Sequence, residues 1–187
     1  AYNVAVGFKA GEVMTTGIHN TLIGGLAGDS LTGGSYNVAI GKGALSTEDG
    51  HSYNVAIGLN ALTSQNAGAD AYNTAVGASA GINVTTGVQN TLIGGLAGDA
   101  LTTGGYNVAI GIDALSAEDT HSYNVAIGGY ALRVQNAGAD AYNTAVGYNA
   151  GAAVTTGINN TIIGGLTGAA LTTSDNNVAI GTSALSS

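Results

Sequence analysis

A five-residue alternation of apolar and small residues recurs along the chain. In Asn37-Val38-Ala39-Ile40-Gly41, an extended backbone puts Val38 and Ile40 on one face and Ala39 on the other. The general form is Asn-[Val/Thr]-[Ala/Leu/Ile]-[Ile/Val]-Gly. It begins at Asn3, Asn20, Asn37, Asn54, Asn73, Asn90, Asn107, Asn124, Asn143, Asn160 and Asn177, at steps of 17 or 19 residues. The longer steps follow Asn54 and Asn124, so four units form a super-repeat: 3–72, 73–142 and a partial 143–187 within one domain, 1–187. The segments 66–73 and 136–143 both read NAGADAYN, as duplication of a four-unit block would leave them.

Each motif predicts a strand. Its second position is Val or Thr, β-branched residues that favour extended backbone. Its fourth is Ile or Val in all eleven units, which predicts an inward stack through Ile40, Ile57, Val76, Ile93, Ile110, Ile127 and Val146. Seven residues after each Asn comes Ala, with Thr167 the one exception. Leu31, Val84, Leu101, Val154 and Leu171 follow four residues later, which predicts a second short strand. Thr15-Thr16-Gly17 and its equivalents then close the unit with a turn in which glycine supplies a positive φ. A frequent glycine, at about 1 kcal/mol each, argues against helix. The reading is an all-β parallel β-solenoid, a β-roll of eleven coils stacked about 4.8 Å apart. The two insertions should form two bulges along one edge.

The motif ends are corner residues: Asn37 with Gly41, Asn54 with Gly58, Asn107 with Gly111. Asn hydrogen-bonds local backbone at turns, and in-register amides form ladders. Tyrosine precedes the Asn in seven units, at Tyr2, Tyr36, Tyr53, Tyr72, Tyr106, Tyr123 and Tyr142, which predicts a ring stack along one edge.

Composition narrows the function. The chain has eleven acidic and three basic residues, a net charge of −8. That sign excludes a phosphate-backbone binder, so no nucleic acid is expected. There is no cysteine, hence no disulfide or thiolate metal site, and no apolar run long enough to insert in a membrane. Charged residues are 7% of the chain, few for a thin monomeric rod. Ala39, Ala56, Ala75, Ala109 and Ala126, with Leu22 and Leu92, are expected outside, where small side chains would let a partner rod approach. The chain opens and closes inside repeats, so continuation end to end is expected as well.

Candidate chemistry is thin. Glu48-Asp49-Gly50-His51 and Glu118-Asp119-Thr120-His121 offer carboxylates and an imidazole, yet read as solvated corners rather than metal sites. Gly24-Gly25-Leu26-Ala27-Gly28 lacks the lysine and helix of a phosphate loop. No catalytic residue, cofactor or metal is assigned.

The strings Asn37-Val38-Ala39-Ile40-Gly41 and Asn73-Thr74-Ala75-Val76-Gly77 resemble the head repeats of trimeric autotransporter adhesins and the repeats of phage tail fibres. That resemblance implies a left-handed roll, a homotrimer and a place outside the cell or on a virion. The expected function is a structural or adhesive fibre segment, self-associating and non-catalytic, with a cell-surface glycan or receptor as a further partner. The alternative is a ligand-binding solenoid whose flat repeated surface meets a glycan or ice. An enzyme acting on polysaccharide would need acids clustered in a groove.

Overall fold

A computed structural model describes residues 2–187. Eleven three-residue strands run from β1 (Val4–Val6) to β11 (Val178–Ile180), one per motif. They are β2 (Thr21–Ile23), β3 (Val38–Ile40), β4 (Val55–Ile57), β5 (Thr74–Val76), β6 (Thr91–Ile93), β7 (Val108–Ile110), β8 (Val125–Ile127), β9 (Thr144–Val146) and β10 (Thr161–Ile163). All lie parallel in one sheet, in chain order, with equivalent residues paired at every step. The chain is therefore an all-β solenoid, ten full turns from Asn3 to Asn177.

The strand faces are the reverse of those expected from the alternation. The third motif position points inward: Leu22, Ala39, Ala56, Ala75, Leu92, Ala109, Ala126, Ala145 and Ile162 are fully buried. Ile40, Ile57, Val76, Ile110, Ile127 and Val146 are only half-buried, and Ile93 is exposed. The fourth-position stack thus forms the outer face, not the core. Room inside a coil explains the reversal. A 17-residue turn encloses little volume, and Ala27, Ala44, Ala61 and their equivalents already occupy it from the opposite wall. A small third residue fits there; a column of Ile would not.

Side-chain volume is shared around each coil. Where the third position is Leu22, Leu92 or Ile162, the residue six positions on is Gly28, Gly98 or Gly168. A Cβ on Gly98 would lie 2.7 Å from Leu92 Cδ2 and 2.8 Å from Leu101 Cδ1. Where the third position is Ala39, Ala56, Ala109 or Ala126, that partner is Leu45, Leu62, Leu115 or Leu132, each fully buried. Each of these pairs holds one large side chain; where Ala75 and Ala145 are paired with Gly81 and Gly151, Leu62 with Leu92 and Leu132 with Ile162 reach in from the adjacent coils instead.

The second expected strand does not form. Residues in that stretch take left-handed backbone, with φ of 55° at Asn60 and 48° at Leu62. Extended structure needs negative φ. The chain instead turns tightly, the Ala27 N–H donating to Gly24 O at 3.3 Å and the Leu31 N–H to Gly28 O at 3.1 Å. The Thr-Gly corners also have another basis than positive φ. Gly17, Gly34, Gly87 and Gly104 lie outside the left-handed region, and a Cβ on any of them would run into a backbone carbonyl of the next coil. Their glycine serves close coil-to-coil approach.

His51 and His121 hold that corner position in the coils before the two insertions. The longer coils, 54–72 and 124–142, swing out there: Gly68 and Gly138 have open space around them, and Asp70 and Asp140 are exposed. Asp70 Oδ1 accepts from the Ser52 N–H at 3.1 Å and Asp140 Oδ1 from the Ser122 N–H at 2.9 Å. The expected bulges are present at equivalent corners.

Candidate functional surface and buried polar network

The motif asparagines form one continuous buried ladder. Each Oδ1 accepts the backbone N–H of the next Asn, as Asn20 does from Asn37 and Asn90 from Asn107, both at 2.9 Å. Nδ2 donates within the coil, Asn90 to Gly104 O at 2.9 Å and Asn143 to Gly157 O at 2.7 Å. The one Asn amide supplies both an acceptor along the axis and a donor across the coil. Replacing Asn90 with alanine strands the buried Asn107 N–H and the Gly104 carbonyl. The expected loss is about 2–5 kcal/mol, from two unsatisfied groups. Urea denaturation measures it, and an unchanged midpoint would contradict the ladder.

Beside the ladder stand two aromatic stacks. Tyr2, His19, Tyr36, Tyr53 and Tyr72 form one, with adjacent ring centroids 4.9–5.2 Å apart. Tyr106, Tyr123 and Tyr142 form the other, and Gln89 separates them, its Nε2 3.4 Å from Tyr106 Oη. All seven tyrosines named from the sequence lie in this column. Adjacent rings cover each other's faces, so edges and hydroxyls face solvent. Adjacent ring planes differ by between 1° and 14°.

The two acidic clusters are not solvated corners. Glu48 and Glu118 are fully buried, because they occupy the inward column that continues Leu31 and leads to Gln65 and Gln135. Asp49 beside Glu48 is exposed. Glu48 Oε1 lies 2.6 Å from His51 Nδ1 and accepts the His51 backbone N–H at 3.1 Å. Glu118 Oε1 is 2.8 Å from His121 Nδ1, and its Oε2 accepts from Gln135 Nε2 at 2.8 Å. Gln135 Oε1 in turn accepts from Asn143 Nδ2 at 2.9 Å, joining the cluster to the ladder. In the first copy Gln65 Nε2 donates instead to Thr85 O at 3.2 Å, and Glu48 Oε2 is left without a partner.

Glu, Asp and His in each cluster bring one ligand atom apiece within 4.8 Å of one another. A cation there would have to draw His51 Nδ1 away from the Glu48 oxygen it already contacts. Burial pushes the Glu48 carboxyl above its ordinary value of 4.5, while the His51 hydrogen bonds act in the opposite direction. A group with a raised folded pKa stabilises fully below its unfolded value, and that contribution is lost as pH rises through the folded value. Glu48→Gln removes the buried charge. The variant should melt higher than wild type at neutral pH and lose less stability as pH is raised from 4.5. Melting curves across that range check both signs; identical pH dependence would contradict the assignment.

The sequence did not single out Gln65 and Gln135. Their place one coil after Glu48 and Glu118, at the same position relative to the motif Asn, was the available signal. The corner residues Asn37, Asn54, Asn107, Gly41, Gly58 and Gly111 all stand at coil corners, the asparagines buried in the ladder. Compared with family models, curated proteins and solved structures, the chain has no significant match.

Proposed function

We propose that the chain is a structural and adhesive segment of an extracellular or virion-surface fibre, self-associating and non-catalytic. One observation carries this reading: a charge-free face of β-branched side chains runs along all eleven in-register strands. Two columns make it. The second motif position contributes Val and Thr, the fourth Ile and Val, and no strand residue is charged. Large exposed apolar patches mark association surfaces. Each strand pairs only with the strands before and after it, so length can grow without a change of fold. The resemblance of the Val-Ala-Ile-Gly strings to adhesin heads and tail fibres supports the setting; a surface glycan or receptor is the further partner it suggests.

A second reading has its own observation. Thr21, Thr74, Thr91, Thr144 and Thr161 all sit on the outer strand face. That face, rather than the Thr15-Thr16 bend, is the surface an ice or glycan ligand would meet. Negative-stain electron microscopy tests the fibre reading. Straight rods or bundles are expected, and separate compact particles at micromolar concentration would defeat it.

A further inference from the structure

We infer that two copies of this chain pair through the outer strand face, lying side by side in the same direction; the inference rests on the self-associating fibre reading above. Size is the first support. Eleven strands at about 4.8 Å make a face about 50 Å long. Two columns of side chains are roughly 12 Å wide, given about 7 Å between alternate residues. The face then covers about 600 Å² per copy, or about 1,200 Å² in a pair, the lower bound of a specific interface.

The face is also complementary to itself. Its side chains recur once per coil, and only a surface with the same period can repeat the same contact at every coil. A second copy has that period by construction.

The heights of the two columns set the direction. The fourth position holds the taller side chains, among them Ile23, Ile40, Ile57, Ile93, Ile110 and Ile127; the second holds only Val and Thr. A two-fold axis along the rod places each tall column against the partner's short one and leaves an even gap. A two-fold axis across the rod sets tall on tall and short on short, which leaves a wedge. Isologous pairing therefore runs parallel. The site belongs to Val, Thr and Ile; the buried alanines take no part.

Sedimentation velocity on the full chain tests the pairing. Wild type should sediment as a dimer at micromolar concentration. Ile93→Lys with Ile110→Lys should be monomeric with unchanged far-UV circular dichroism. Should the lysines disturb folding, Ile93→Thr with Ile110→Thr keeps β-branching and should still weaken the dimer more than about tenfold. Thr47→Lys, exposed on another side, should leave it intact. A nitroxide at Lys9→Cys, the chain's only cysteine, should report a short separation in a parallel pair and about a rod length in an antiparallel one. A wild-type monomer, a trimer, a dimer that survives the double lysine, or the long separation each overturns the proposal. A monomer that shows thermal hysteresis assigns the face to ice instead. Filaments of single-rod width would leave the fibre reading standing while pairing fails; isolated dimers without rods or bundles would do the reverse.

Discussion

Ala109→Asp should unfold or severely destabilise the chain, while Ile110→Asp, one residue away, should cost less than about 1 kcal/mol. Ala109 is fully buried in β7, among apolar side chains and backbone, with no base to pair a carboxylate. An unpaired buried charge costs several kcal/mol, here at least about 4. The Ile110 side chain stands on the outer face, half-exposed, so a carboxylate there stays hydrated and loses mainly β-propensity. The comparison belongs at concentrations where both variants are monomeric, because the Ile110→Asp carboxylate also opposes pairing. Chemical denaturation gives the two values. Equal losses, or a larger loss at Ile110, would restore the inward Ile stack.

A second adjacent pair separates two kinds of glycine. Gly94→Ala is expected to lose about 3 kcal/mol or more, and Gly95→Ala close to nothing. Gly94 has φ of 134°, where a side chain is strained, and a Cβ would lie 2.5 Å from Gly111 O and 2.6 Å from its carbonyl carbon. Neither atom can yield, because the Gly111 N–H is held to Ile93 O at 2.7 Å in the ladder. Gly95 lies outside the left-handed region, and its nearest atom to a new Cβ is Ala78 O at 4.0 Å. Alanine there also restricts the unfolded chain, so a slight gain is compatible with the geometry. Thermal melts of the two variants decide; a Gly94→Ala protein as stable as wild type would remove the steric basis of the corner.

By itself the sequence determined the coil. The recurrence of Asn and Gly at steps of 17 and 19 fixes eleven equivalent strands, and equivalence forces parallel, in-register stacking. The tyrosine column, the asparagine ladder and the two bulges follow from the same recurrence, since whatever repeats once per coil must stack. Which side of the strand faced inward was decided only in three dimensions. Alternation distinguishes two faces but assigns neither, and Val38 and Ile40 looked like core because they are the larger side chains. The coil interior is too narrow for them: Ala44 and Leu45 already fill it from the opposite wall. Glu48 followed the same logic. Beside Asp49 and His51 it reads as a surface charge, yet its register places it in the inward column, where His51 determines its hydrogen bonds. Residue type reported what each side chain prefers in isolation. The volume enclosed by seventeen residues, and the order in which the coil fills it, decided where each one went.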